Sequence, residues 1–407
     1  MKCRHCRTPL KLTFLDLGSA PPSNAYLSTG DLTQPEISYP LRLLVCTNCR
    51  LVQTEDHAGA DELFTPDYAY FSSTSASWLA HAADYCRMIR ERLRLDARSF
   101  VIEVASNDGY LLRNFVAAGI PCLGIEPTNS TAEAAKALGI PVLERFFGKD
   151  LGRELLERHQ QADLIIGNNV YAHVPDINDF TVGLRTALKP AGVVTLEFPH
   201  LMRLVQFCQF DTVYHEHFSY LSLHTVSRIF ATVGLRIFDV EELSTHGGSL
   251  RVHGCREEAE YVQTEAVAAL MAEEDARGMN TNGWYRTFQD RANAVKNGLL
   301  SFLLEQKRRG KTVAGYGAAA KGNTLLNYAG VKPDLLPFIS DAAPSKIGKF
   351  MPGSHIPILS PDALRARRPD YLLILPWNIA TEIKQQNAHL AKAGTRFVIA
   401  VPELEVL

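Results

Sequence analysis

Long apolar runs are missing from this 407-residue chain. No segment reaches the roughly 20 apolar residues that a membrane-spanning helix needs, so no membrane partner is expected. An excess of charge of one sign is also lacking: 42 Lys and Arg stand against 44 Asp and Glu. No broad basic field therefore draws the chain to nucleic acid or an acidic membrane surface, and small or compact substrates are the expected partners. The first residues, MKCRHCRTPLKL, have no apolar core of a secretory signal, which points to the cytoplasm. Eight cysteines are few for this length. In a reducing compartment their pairing suggests metal rather than disulfide. Low-complexity tracts and short-period repeats are absent as well. What remains is a globular chain, 46% hydrophobic and too long for one ordinary core, so several α/β domains are expected.

Half of the cysteines fall into two CxxC pairs, Cys3 with Cys6 and Cys46 with Cys49. Each such turn presents two thiolates to one metal, and the two together fill the tetrahedral sphere of a closed, structural Zn²⁺. A redox pair or unrelated surface thiols would be the bland alternative. Between the pairs, Pro21 and Pro22 in "LGSAPPSNAYL" disfavour helix, and a loop with short strands is expected over the zinc-binding segment, residues 1–67. A nucleic-acid-binding zinc ribbon would need a basic stripe, which is missing beyond the first dozen residues. Cys86, Cys122, Cys208 and Cys255 have no such partner, and packing is the default for each.

A second segment, residues 68–255, reads as Rossmann-like. "FVIEV" is a buried-strand run, "ASNDG" a turn, "YLLRNFVAAG" a helix closed by Gly119, and "PCLGIE" a second strand. In an open parallel sheet, ligands bind beyond the carboxyl ends of the strands. Residues Ala105 to Gly109, Asp108 included, should then face one crevice with Glu126, a carboxylate placed to accept both hydrogens of a ribose diol. Nicotinamide-binding domains share that layout. The turn separates them: Glu103, Ala105, Asn107 and Gly109 resemble the E-x-G-x-G-x-G signature of S-adenosylmethionine (SAM) methyltransferases, with two glycines replaced. Further strands in "ADLIIGNNVYAHVPD" and "AGVVTLEFPH" match the methyltransferase sheet. Asn168 and Asn169 close one of them, at a strand end that commonly faces the methionine part of SAM.

The stretch DTVYHEHFSY adds a phenol, two imidazoles and a carboxylate at Tyr214, His215, Glu216 and His217. An extended chain would put Tyr214 with Glu216 on one side; a helical turn would put Tyr214 with His217. The HEH triplet lacks the H-E-x-x-H spacing that sets two imidazoles one helical turn apart, so a second zinc is not expected.

Taken in order, the cysteine pairs, "APPSN", "EVASNDGYLL", "IGNNVYAHVPD", "YHEHFSY", "HGGSLR" and "GYGAAAKGNTLLN" resemble the nucleotide-sugar C-3 methyltransferases of deoxysugar pathways over nearly the whole chain. The resemblance implies SAM as cofactor beside structural Zn²⁺, and a nucleoside-diphosphate 4-keto-6-deoxyhexose as substrate. Methylation is expected at C3, or at C5 through the enolate on the other side of the ketone. It implies His217 as the base that forms the enolate, with Tyr214, Glu216, Tyr68 and His173 in the same site. Histidine suits a base at neutral pH, and tyrosine or histidine can donate to the developing oxyanion. A zinc-ribbon binding protein with degenerate Rossmann domains is the non-enzymatic alternative.

Residues 256–310 read as a charged helical connector, and residues 311–407 as a second Rossmann-like domain. In "AGYGAAAKGNT", Gly315, Gly317 and Ala320 satisfy the dinucleotide fingerprint G-x-G-x-x-A, and Asp341 ends the next strand where a ribose-binding acid belongs. Alone, this reads as an NAD site or a lobe that merely packs. The resemblance instead implies a cradle for the sugar nucleotide, involving Gly315, Gly317, Lys321, Asn323 and Asp341, with Lys321 at a helix start neutralising pyrophosphate.

Overall fold

The computed structural model of the chain describes residues 1–57 and 71–407; Tyr68 lies outside them. Three sheets organise the described residues. The first joins β1 (Leu12–Ala20), β2 (Tyr39–Val45) and β3 (Val52–Thr54) as an antiparallel meander.

The central sheet contains β4 (Val101–Val104), β5 (Cys122–Ile125), β6 (Val142–Leu143), β7 (Ala162–Asn168) and β8 (Leu188–Pro199), all parallel. A two-residue strand, β9 (Ser219–Tyr220), leaves this domain to pair with β3 of the first sheet. Beside β8, an antiparallel hairpin of β10 (Leu235–Leu243) and β11 (Ser249–Arg256) completes the order β10-β11-β8-β7-β4-β5-β6. The central strands are apolar on both faces because helices cover both: Val101, Ile102, Leu164, Ile165 and Ile166 are fully buried. Each such side chain contributes about 1.5–3 kcal/mol. The strand order reverses between β4 and β7, and the crevice at that switch point is where a ligand sits in an open parallel sheet.

The loop leaving β4 retains the backbone of a glycine-rich turn without its glycines. Ala105, Asn107 and Gly109 all have positive φ, at 57°, 49° and 79°. Gly109 is also needed for space, since a Cβ there would lie 2.4 Å from Ile140 Cδ1. Asparagine tolerates the left-handed region, whereas alanine pays about 1–2 kcal/mol for it. Ala105→Gly is therefore expected to stabilise the fold by about 0.5–1 kcal/mol after the entropy of the more flexible unfolded chain is subtracted. Chemical denaturation checks this; a loss of stability would show that the Ala105 methyl packs for more than its backbone costs.

The third sheet runs β14 (Ile358–Leu359), β13 (Ile339–Ser340), β12 (Val313–Tyr316), β15 (Tyr371–Ile374), β16 (Arg396–Ile399) and β17 (Glu405–Val406), parallel except for the last. The long helix Phe288–Arg308 ties the lobes together. Phe288 stacks on Phe14 at 4.9 Å, Arg291 Nη2 donates to Gln206 O at 3.0 Å, and Phe302 meets Tyr371 edge-on at 5.2 Å. Cys86, Cys122, Cys208 and Cys255 are buried free thiols, as packing residues should be. Among the described residues, no helix is long and apolar enough to cross a membrane.

Candidate active site

The four paired cysteines converge. Their sulfurs lie within 4.8 Å of one another, with Cys3 to Cys49 at 3.5 Å and Cys6 to Cys46 at 3.4 Å. A tetrahedral zinc with Zn–S bonds of about 2.3 Å would space its sulfurs about 3.8 Å apart, so a small inward or outward breath accommodates the ion. The two knuckles are built alike: Arg7 and Arg50 follow the second cysteine of each pair with φ of 61° and 66°, and their N–H groups return to Cys3 O and Cys46 O. Four thiolate donors fit Zn²⁺ in a closed site with no position for a reactive water.

At the other end of the first sheet's reach, a cavity of about 760 Å³ opens over the central switch point. Its lining brings together Ala105, Asn107, Glu126 and Asn168 from the central sheet, Tyr214, Glu216, His217 and His173, and Lys321 from the third-sheet lobe. Glu126 directly follows β5, and its carboxylate accepts the N–H groups of Asn107 and Thr128, each at 2.9 Å. The side-chain amide of Asn168 is buried with neither its oxygen nor its nitrogen partnered among the described residues, as expected of a group waiting for a ligand. Three of the sequence-predicted cofactor residues lie beneath this lining. Glu103 is fully buried in β4, held well above the usual carboxyl range by burial despite a bond from Tyr110. Asp108 accepts the Ser73 N–H at 3.1 Å, and Gly109 packs on Ala135 and Ile140.

The YHEH stretch is neither strand nor helix. A turn closed by His217 N–H to Tyr214 O at 3.0 Å brings the two rings together, 4.1 Å between centroids with their planes tilted by 39°. His173 meets His217 edge-on at 4.5 Å. His217 Nδ1–H donates to Thr212 O at 3.1 Å, which fixes the tautomer and makes Nε2 the lone-pair nitrogen. Burial, reinforced by His173 nearby, lowers its pKa well below 6.5, so the imidazole is neutral at physiological pH. His173 is pinned in the same way, Nδ1–H to Glu216 O at 2.9 Å, and burial brings it to about 4. Glu216 is held by Asn24, whose amide donates to both carboxylate oxygens at 2.9 and 3.2 Å. His215 faces away, against Tyr39 of β2.

The third-sheet lobe contributes less of its motif than the sequence suggested. Ala319, Ala320 and Lys321, at the start of helix Ala320–Ala329, line the cavity. Lys321 Nζ lies 4.7 Å over the Trp377 ring and donates to Asn378 at 2.7 Å. Gly315, Gly317, Asn323 and Asp341 do not line the cavity. Gly317, at φ 87°, is pressed against Pro376, which a Cβ would meet at 2.5 Å. Asp341 turns back to accept the N–H groups of Ala318 and Ala343, at 2.7 and 2.8 Å, and Asn323 donates to Ser23 O. Conversely, Asn24, Trp78, His246 and Lys346 line the cavity without having been singled out. Asn24 and His246 lie in the APPSN and HGGSLR stretches that carry the resemblance, but neither was given a role, and Trp78 arrives from a segment distant in the chain.

A seven-stranded sheet with parallel core and terminal antiparallel hairpin, topped by this crevice, is that of a SAM-dependent methyltransferase, and a methyltransferase-domain family matches residues 78–240. Residues 3–64 match a putative zinc-binding domain and residues 244–402 the C-methyltransferase C-terminal domain. The chain is 35% identical over 406 residues to the C-methyltransferase NovU of Streptomyces niveus, covering 100% of this chain and 96% of that one. This protein belongs to that C-methyltransferase family, and its own amino-terminal segment matches a putative zinc-binding domain. Solved structures similar in part include magnesium protoporphyrin IX methyltransferase from Synechocystis PCC 6803 with bound SAM, at 14% identity, 46% of this chain, 79% of that chain and TM-score 0.32. A SAM-dependent methyltransferase from Anabaena variabilis gives 14%, 43%, 84% and 0.35.

Proposed function

We propose that the protein methylates C3 of a nucleoside-diphosphate 4-keto-6-deoxyhexose, with His217 as the base that forms the enolate. The observation that carries this reading is the neutral His217 imidazole, anchored at Nδ1 and lining one cavity with the SAM crevice and a cationic helix start. A carbon acid next to a ketone needs a buried base of this kind. Bound SAM supplies an electrophilic methyl group, and Asn107, Glu126 and Asn168 are the residues placed to hold it. Within the substrate site, Glu216 and Tyr214 flank the base and orient the sugar. The helix start at Ala320, with Lys321, suits an anionic diphosphate, because its first N–H groups and the ammonium add in the same direction.

Incubating purified 4-keto sugar nucleotides with SAM, then locating the new methyl by mass spectrometry and NMR, tests the reading; methyl at C5 or no transfer to any of them would overturn it. Lys321→Ala is expected to raise the KM for the sugar nucleotide at least about tenfold, the value of one charge-assisted hydrogen bond, and to leave the KM for SAM within about twofold. NADH should neither bind nor be consumed, since C-methylation needs no hydride. An unchanged sugar-nucleotide KM, or tight NADH binding, would assign the lobe elsewhere.

A further inference from the structure

The HGGSLR stretch has so far been given no task, yet it puts a third imidazole into the cavity. His246 lines it with backbone φ 53° and ψ 21°, a left-handed conformation that a histidine adopts at a cost of about 1–3 kcal/mol. The surroundings hold it there. On one side, the Thr245 hydroxyl donates to the buried Glu197 carboxylate at 2.9 Å. On the other, Gln209 Nε2 donates to Gly247 O at 2.7 Å, and Gly247 is pressed so closely on Trp377 that a Cβ would lie 2.5 Å from the indole. The ring itself meets Trp78 edge-on at 5.3 Å. Asn169 Nδ2–H donates to His246 Nε2 at 3.1 Å, so Nε2 is the acceptor and Nδ1 carries the proton, with no partner among the described residues. Burial, with the Lys321 ammonium nearby, lowers this group to about 4, which keeps it neutral. His217 thus offers a lone pair and His246 an N–H, the two halves of an enolisation site.

Resting on the enolate reading above, we infer that His246 is a catalytic residue: its Nδ1–H donates to the ketone oxygen while His217 Nε2 removes the proton from the adjacent carbon. As that C–H bond breaks, the proton passes to Nε2, its electron pair forms the C=C bond, and the carbonyl π pair moves to oxygen, where the Nδ1–H meets it. A neutral imidazole suffices as such an electrophile, and a donor already locked in place reorganises little as charge develops.

The experiment follows deuterium wash-in from D₂O at the carbon beside the ketone of thymidine-diphosphate 4-keto-6-deoxyglucose, with S-adenosylhomocysteine present. His246→Ala should slow exchange about 10²–10³-fold, the usual loss for one oxyanion donor, with homocysteine-form cofactor affinity by calorimetry unchanged. His246→Asn keeps an N–H near the Nδ1 position and tolerates the left-handed backbone, so it should fold at least as well and recover ten-fold or more of the loss. His246→Gln, whose amide reaches the Nε2 position instead, should not. Exchange in folded His246→Ala or His246→Gln within threefold of the parent would overturn the proposal while leaving the enolate reading standing. Equal loss of cofactor affinity would reassign His246 to the cofactor, and an Nε2–H tautomer by ¹⁵N NMR would remove the donor. If the parent protein exchanges no 4-keto sugar nucleotide although His217 is intact, the enolate reading and this proposal fall together.

Discussion

His217→Ala should bind SAM and sugar nucleotide with affinities near those of the parent protein and turn over about 10²–10⁴-fold more slowly, the range for loss of a general base. Solvent deuterium exchange at the carbon to be methylated should be lost in parallel, which separates proton removal from methyl transfer. The geometry makes the expectation specific. Thr212 O holds Nδ1–H, so only Nε2 can accept a proton, and no described residue occupies it. Burial lowers the pKa well below 6.5. A histidine with a depressed pKa keeps its neutral, basic form as pH falls through 6.5 and loses it only on reaching the depressed value. The acid limb of kcat/KM should therefore lie below 6.5, and Tyr214→Phe, which leaves the base intact, should reduce kcat less than His217→Ala does. Normal exchange in His217→Ala would move the base to His173 or Tyr214, whose rings stand next to it, or to Tyr68.

How much of this site could be read from the chain depends on the range of the forces that set each residue. The zinc knuckles were legible because spacing alone brings two thiols to one turn, and the structure gathers all four. Glu126 and Asn168 were legible from local strand patterns, since a parallel strand's carboxyl end predetermines where its next residue points. The conformation of YHEH was not. It depends on β9 reaching to β3, on Tyr220 OH accepting the Tyr214 N–H at 3.3 Å, and on Thr212 accepting from His217. The first forms only once the amino-terminal lobe is docked, and the other two set a turn that the spacing of residue types does not report. The third-sheet fingerprint shows the opposite failure: its letters satisfy G-x-G-x-x-A, but Asp341 and the Ala318 N–H satisfy each other, and Gly317 accommodates Pro376. A pattern of residue types does not report whether a carboxylate faces a ligand or its own turn.

Loss of the zinc should cost as much as loss of the base, although no cysteine lines the cavity. Structural zinc in small domains contributes about 10–16 kcal/mol, comparable with or larger than the whole stability of an ordinary domain, so Cys46→Ser should unfold the amino-terminal lobe. The damage should travel by two routes. Close to the knuckles, the Cys3 thiol accepts from Gln53 at 3.4 Å, the Gln53 oxygen accepts the Arg4 N–H at 2.9 Å, and the Arg4 guanidinium reaches Phe218 O, one residue past the base, at 3.2 Å. Further along, the APPSN loop carries Asn24 onto Glu216, Tyr26 onto Ala318 O at 2.6 Å, and Leu27 into a two-way backbone pairing with Phe350. The lobe that zinc folds thus clamps the catalytic turn from one end and the third-sheet lobe from the other. Cys46→Ser, or prolonged chelation of the parent protein, is expected to yield little soluble protein, a lowered melting temperature in what remains, and no measurable methyl transfer. Metal content by emission spectroscopy should fall from one zinc per chain to none. A Cys46→Ser protein that stayed folded, active and zinc-replete would show that the four thiols do not form the metal site, and that the clamp stands without it.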